Sequence, residues 1–375
     1  MKALYLAVDG GNSKTDVVLG TAGGEVLGYV RGPTTSPHVV GLAQAVQVLD
    51  RLVHAVRDEA GVGAPTPIDM IAVYLAGADL PVEVDRLREA VDAQHWATRS
   101  IVDNDCFALM RAGTSMADAI TVVCGAGNNC VGRTADGRTA RFPALGPISG
   151  DWGGGHDLAE HTLRLAARGE DGRGTPTALS AAVASHFDRP TVESVSIALH
   201  LGELRMSAIH ELTPVLFRVA ATGDEVAGGV IRRQADEILA HHRVAADRLN
   251  LRAVPHALVL GGGVLRAQHP ELHHLVVAGA RAQAPQVQIS VLSAPPAVGA
   301  ALLAVDALGT AAEAEPRLRA AMTRTPTPAP QPTAPTSAAH SWIATDVPAQ
   351  LPGHAPDGTA LPHNGQPLPS RPVPG

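Results

Sequence analysis

One pattern occurs twice in this chain and restricts its folding more than any other. Residues 3–9, Ala-Leu-Tyr-Leu-Ala-Val-Asp, form an apolar run that ends on a carboxylate. Gly10-Gly11-Asn12-Ser13-Lys14 follows, and a second run extends over residues 15–20. Residues 119–124 are again an apolar run; Gly125-Ala126-Gly127-Asn128-Asn129 follows, and residues 130–134 resume it. Short apolar runs bounded by glycine turns read as buried strands. Glycines at the tip let backbone adopt positive φ and approach a ligand closely. A polyphosphate needs N–H donors that no side chain obstructs. Two such hairpins can therefore hold one phosphate chain from both sides.

The rest of the chain alternates. Residues 25–31 read as a third strand after Ala22-Gly23-Gly24. Residues 40–60 have helical periodicity, with Leu42, Val46, Leu49, Val53 and Val56 on one face. A strand over 68–75 ends at Ala76-Gly77-Ala78-Asp79; a helix over 82–95 and a strand over 100–103 follow. Strands alternating with helices after a meander indicate an α/β domain with a mixed sheet. From 157 to 248 the signal is nearly all helical, with helices expected over 176–187, 191–199, 206–220 and 225–249, a helical insertion packed on a second sheet. A strand over 256–260, a glycine turn that opens a helix, a last strand over 288–292 and a helix over 297–308 complete the pattern. With aromatics at 3% of the chain, the core must be built from Ala, Val and Leu.

After about residue 315 the composition changes. Residues 325–375 hold 13 of the 29 prolines, mixed with Ala, Thr, Ser and Gly, with Trp342 and Ile343 as the large apolar pair. Such a stretch cannot bury a core and reads as a disordered tail. Removing residues 320–375 is expected to leave activity intact.

A formal charge of −7 and 17% charged residues give no basic field for nucleic acid. The three cysteines, Cys106, Cys124 and Cys130, form no CxxC pair, which argues against a disulfide scaffold and a thiolate zinc site and suits a reducing cytoplasm. The pairs His241-His242 and His273-His274 come without HExxH or a matching cysteine and read as surface histidines. The apolar N-terminal run is too short for a signal peptide and stops at Asp9. The apolar stretch near 289–305 is broken by Pro295-Pro296, so no membrane span is expected.

Four segments carry candidate chemistry. Asp9, Gly10, Gly11, Asn12, Ser13, Lys14 and Thr15 can supply amides for phosphate and, through Asp9, a carboxylate that holds magnesium by way of water. The GxxxxGK[ST] spacing of a Walker loop is absent. Asp103-Asn104-Asp105 stands where a strand meets a helix; three capping-type residues exceed what one N-cap requires, which favours function for part of the set. Gly146 to Asp157, with Gly150-Asp151-Trp152-Gly153-Gly154-Gly155, is the most glycine-dense segment, and the helix it opens could bind an anion through free N–H groups. Gly261-Gly262-Gly263 either lets a nucleoside lie against backbone or serves close helix–strand packing.

In order, Asp9 to Thr15, Asp105, Cys124 to Cys130, Gly150-Asp151 and Leu260 to Val264 resemble the actin/hexokinase/heat-shock-chaperone ATPase superfamily, and within it the N-acetylglucosamine kinase branch of the BadF/BadG/BcrA/BcrD-type ATPase family. The resemblance covers residues 1 to about 310. It implies an α/β chain of two ribonuclease-H-like halves, 1–115 and 116–312, with a nucleotide cleft between them and the tail at 313–375. It implies ATP and Mg2+ as cofactors and phosphorylation of the 6-hydroxyl of an amino sugar, N-acetylglucosamine above all, with no nucleic-acid or membrane partner and with a homodimer allowed. Residues 9–15 would be the first phosphate loop, Gly125, Ala126, Gly127 and Asn128 the second, and Gly261–Gly263 the adenosine contact. Asp105 would be the base, and Gly77, Asn104, Gly150 and Asp151 would join it at the sugar. The family's Gly-Asp-Glu-Gly-Ser stretch stands here as Gly-Asp-Trp-Gly-Gly, and its loop asparagine is absent from Thr34-Thr35-Ser36-Pro37-His38. Two other functions share this fold: a 2-hydroxyacyl-CoA dehydratase activator, whose dimer holds an iron–sulfur cluster, and a non-catalytic sugar sensor.

Overall fold

The computed structural model describes residues 3–323 and 325–329. In the first half, strands β1 (Leu4–Gly10), β2 (Lys14–Thr21) and β3 (Val26–Pro33) form an antiparallel meander. Helices α1 (Pro37–Val40) and α2 (Leu42–Glu59) lead to β4 (Met70–Leu75), then α3 (Pro81–Asp92), β5 (Arg99–Asn104) and α4 (Asp105–Gly113). β1 pairs antiparallel with β2 and parallel with β4, which pairs parallel with β5. The second half repeats the plan. β6 (Ala119–Cys124), β7 (Asn128–Arg133) and β8 (Thr139–Arg141) form the meander. Helices α5 (Gly154–Glu170), α6 (Leu179–His186), α7 (Val192–His200), α8 (Leu212–Ala220) and α9 (Glu225–Leu249) are inserted, and β9 (His256–Gly261), α10 (Gly263–Arg266), α11 (Pro270–Gln283) and β10 (Val287–Val291) follow. Sheet order is β3-β2-β1-β4-β5 in one half and β8-β7-β6-β9-β10 in the other, with the same directions. The duplicated hairpin is thus the head of a duplicated sheet.

The chain then returns to the first half. α12 (Pro296–Ala307) packs on β1 and α4. Its sequence, Pro-Ala-Val-Gly-Ala-Ala-Leu-Leu-Ala-Val, buries almost every side chain. A Cβ at Gly299 would collide with the Ala108 carbonyl of α4, so the helices touch through backbone. The rings of Tyr5, Tyr29, Tyr74 and Phe107 lie in the same core, beyond the Ala, Val and Leu expected from composition, and the small residues of α12 pack among them. α13 (Ala311–Ala321) and the edge strand β11 (Thr327–Pro328), parallel to β3, extend the same half. The expected tail was drawn from residue 313. Leu318 and Met322 are buried, so the folded chain runs past that boundary, and the apolar side of α13 was hidden in an Ala- and Pro-rich sequence. Residues 330–375, with Trp342 and Ile343, lie outside the described residues, as does the expected disorder there.

α2 buries Ala45, Val48, Leu49, Leu52, Val53 and Val56, close to the expected face. Two sequence readings are corrected. α11 had no counterpart among the expected helices. His241 and His242 are buried rather than on the surface, and the ring nitrogens Nε2 of His242 and His256 lie 3.2 Å apart. Among the described residues no helix is long and apolar enough to cross a membrane.

Candidate active site

The strand ends of both sheets open on one cavity of about 490 Å³. This is where parallel α/β sheets place ligands, because crossing connections diverge there and leave a crevice. From the first half, Asp9, Gly11, Asn12, Ser13 and Lys14 line it, with Gly77, Asn104 and Asp105. From the second half, Gly125, Ala126, Gly127, Asn128 and Gly262 do. Gly10 and Thr15 are buried behind the first turn, where Thr15 Oγ1 shares a 2.8 Å hydrogen bond with Thr35 Oγ1. Thr34 Oγ1 donates to the Gly11 carbonyl, so the loop after β3 holds the turn from below. Gly261 is buried against Leu109. Gly263 lies in an adjoining hollow with Arg266, Leu292 and Ser293.

Asp105 is the first residue of α4 and lies on the cavity wall. Asn104 is the N-cap: its Oδ1 accepts from the Cys106 N–H at 3.0 Å. Asp103 is not a cap; it accepts the Asn104 N–H and is held by Arg141 of β8. The three polar residues therefore divide into clamp, cap and a carboxylate on the cavity wall that accepts from Cys106. Burial pushes Asp105 up to about 7, and the neighbouring charge of Asp79 adds to it. Asp9 is raised well above the usual carboxylate range by burial, then by Asp105 and Asp16, against Lys14 and Arg31. The surplus of negative charge, on hard oxygen donors, suits a divalent cation.

The second turn is braced by the glycine-dense segment. Gly155 N donates to Gly125 O at 2.8 Å and His156 N to Ala126 O at 3.0 Å. Gly154 N donates to Gln234 Oε1, and Gly153 N to Asp157 Oδ2. The first N–H groups of α5 are thus occupied by protein, and the expected anion site at this helix start is not available. The glycines serve contact instead. Gly154 has φ +86°, and its Cβ would come 2.6 Å from the Ala126 carbonyl. Gly150 and Asp151 do not line the cavity. Asp151 Oδ2 accepts from Ser149 Oγ and from Gly146 N, within its own loop. Trp152 lies under the Arg233 guanidinium, 3.8 Å from the ring centre, and its carbonyl accepts from Asn128 Nδ2.

Asp79, Asn129, His38 and Arg266 line the cavity without having been singled out from the sequence. Asp79 Oδ1 accepts 2.8 Å hydrogen bonds from both Asn104 Nδ2 and Asn129 Nδ2. Burial pushes its carboxyl up to about 6 against these bonds and against His38. Its signal was present in the sequence: a carboxylate four residues past a strand that lies beside β5.

The model of the BadF/BadG/BcrA/BcrD ATPase family matches residues 6–304. An N-acetylmuramic acid/N-acetylglucosamine kinase of Clostridium acetobutylicum is 24% identical over 260 residues, 69% of this chain and 85% of that protein. An N-acetyl-D-glucosamine kinase of Dictyostelium discoideum is 23% identical over 323 residues, 81% of this chain and 98% of that one. Among solved structures, a candidate N-acetylglucosamine kinase from Chromobacterium violaceum has a TM-score of 0.62 at 21% identity, covering 80% of this chain and 98% of its own. Another from Porphyromonas gingivalis has a TM-score of 0.54 at 19% identity, covering 79% and 96%. The fold is that of the two-halved, actin-like ATPases.

Proposed function

The chain belongs to the BadF/BadG/BcrA/BcrD ATPase family, and on that footing we propose that it is an ATP-dependent kinase that phosphorylates the 6-hydroxyl of an amino sugar, N-acetylglucosamine first. The observation that carries this is the placing of the Asp105 carboxylate in a cavity walled by two glycine turns from opposite halves. Phosphoryl transfer asks little covalent work of a protein. It needs alignment, charge stabilisation and mild activation of the hydroxyl. Asp105 orients the sugar hydroxyl and accepts its proton as the bond to phosphorus forms. The N–H groups of Asn12, Ser13, Ala126 and Gly127 would face the phosphates, while those of Gly11 and Gly125 close their own turns on the carbonyls of Lys14 and Gly127. Asp9 would hold Mg2+ through water, and the ion would offset the negative charge of the phosphates. Gly262, Gly263 and Arg266 receive the nucleoside end. The first half, with α12 and α13 packed on it, and the second half, through β10, close on the substrates and exclude water, which would otherwise spend ATP on hydrolysis.

An iron–sulfur activator is less well supported, because Cys106, Cys124 and Cys130 are all buried and their thiols are pushed up by burial. Three unpaired thiols suit the cytoplasm. The test is magnesium-dependent ADP release over N-acetylglucosamine, glucosamine, N-acetylmuramic acid, N-acetylmannosamine and glucose. Stimulation by one amino sugar is expected. Slow release indifferent to all five would overturn the kinase reading.

A further inference from the structure

Two asparagines in this cleft are built alike. Asn104 ends the last strand of the first sheet, and its Oδ1 accepts from the N–H of Cys106 at 3.0 Å. Asn129 lies in the second glycine hairpin, and its Oδ1 accepts from the N–H of Cys130 at 2.7 Å. Each amide oxygen is thus committed to nearby backbone, which fixes each NH2 group as the remaining donor. Both donate to the same atom, Asp79 Oδ1, at 2.8 Å. Asp79 itself follows β4, and its backbone N–H donates to Glu83 Oε2 of α3. One carboxylate oxygen therefore joins the N-cap of the helix that carries Asp105 to the turn expected to face the phosphates. Among the described residues the second oxygen, Oδ2, has no hydrogen-bond partner.

We propose that Asp79 is a positioning residue for phosphoryl transfer: through Asn104 and Asn129 it sets the distance between the base Asp105 and the second phosphate turn. This rests on the kinase reading above and adds to it a residue that does not itself take the proton. The reason is geometric. Asp105 and the Gly125–Gly127 turn belong to different sheets, so their separation depends on how the halves meet. A bond from each half to one atom makes that separation definite. Misplacement of reacting groups by about 1 Å can cost about 100-fold in rate. Charge contributes as well. Asp79 faces Asp105, and its negative charge opposes ionisation of the base. Asp9 and Lys14 face the same space from the first turn, His38 from α1 and Glu83 from α3. Removal of the Asp79 charge alone makes Asp105 a stronger acid, so the base is free at lower pH.

Steady-state kinetics of the full chain test this with the sugar that stimulates the wild type. Asp79→Ala and Asn129→Ala should each lower kcat about 10- to 100-fold while leaving the KM for ATP within about threefold. The double variant should lose no more than Asp79→Ala alone, because both act through one bond. Asp79→Asn keeps an acceptor oxygen for both donors. It should lose less than Asp79→Ala and move the acid limb of kcat to lower pH. Should Asp79→Ala fail to fold, the Asp79→Asn profile and Asn129→Ala decide the matter. Multiplicative losses in the double variant, or an unmoved acid limb in Asp79→Asn, would overturn the positioning role while leaving the kinase standing. Absence of sugar-stimulated release in the wild type would overturn both.

Discussion

Arg141, on the edge strand of the second sheet, closes both arms of its guanidinium on Asp103 at the end of β5, at 2.6 and 2.7 Å. The same guanidinium covers the ring of Phe107, 4.6 Å from its centre. Fork-on-carboxylate pairing is the strong form of the ion pair, because two parallel bonds fix direction as well as distance. Asp103 also accepts the N–H of Asn104. The pair therefore ties the second half to the strand end that leads into Asp105.

Breaking that tie should loosen both the fold and the cleft. A double-mutant cycle with Asp103→Asn and Arg141→Ala should give a coupling of about 1–3 kcal/mol in denaturant melts. Arg141→Lys should not restore it, since a single ammonium cannot make both bonds. A coupling near zero would show that the halves are held elsewhere.

Asp105 should carry both a cost and an activity. Asp105→Asn is expected to keep ATP binding and to lower turnover by about 100- to 10,000-fold, the range for loss of a general base. In the wild type, kcat should climb as pH rises through about 7, where the buried carboxyl gives up its proton. The folded-state value is above that of the unfolded chain, so the native state binds more protons between the two. Stability is therefore lost as pH rises from the unfolded value toward 7. Asp105→Asn removes this loss, and its melting temperature should exceed the wild type's at pH 8 but match it at pH 4. Near-normal turnover in this variant would remove Asp105 as the base.

Gly154→Ala tests the brace behind the second turn. The new methyl would meet Gly127 and the Ala126 carbonyl at a φ of +86°, at a cost of about 1–3 kcal/mol in strain. Because the displaced atoms belong to the turn, the KM for ATP should rise more than that for sugar. Equal changes in the two would mean that the turn serves only the fold.

The C-terminal boundary can be placed by truncation. A chain that ends at Ala329 is expected to keep sugar-stimulated turnover. One that ends at Arg319 should melt lower by about 2 kcal/mol or more, because Met322 is buried and β11 is removed from β3. This amends the expectation that everything from residue 320 is dispensable. Arg319 Nη1 donates to the Ala112 carbonyl at the end of α4, and Glu315 is held at about 2, first by its hydrogen bond from Arg111. Folded-state stability from Glu315 is present above its unfolded value and lost as pH falls toward 2. Arg111→Ala should therefore weaken the fold at pH 7. If the chain ending at Arg319 melts like the one ending at Ala329, the residues after Arg319 do not support the fold.

Local composition carried much of this protein. The runs at 3–9 and 119–124, each stopped by glycines, announce two hairpins because apolar length and turn chemistry are local properties. Asp9, Asp105 and the two turns could be picked out for the same reason: a polar residue at the end of an apolar strand stands out in one dimension. What pairs across the cleft could not be read this way. Asp79 looked like loop punctuation until β4 was laid beside β5 and Asn129 was brought over from the other sheet. Arg141 and Asp103 are separated by 38 residues and meet only because the two sheets face each other. The glycines at 153–155 advertised a ligand loop, yet the same freedom lets a helix start press against a turn, and glycine counts do not distinguish the two. His241 and His242 read as surface residues because a histidine's burial depends on what packs over it. The chain's own chemistry specified which groups are available. Contact between distant segments assigned their work, because a hydrogen bond or an ion pair depends on distance in space, and sequence separation says little about that.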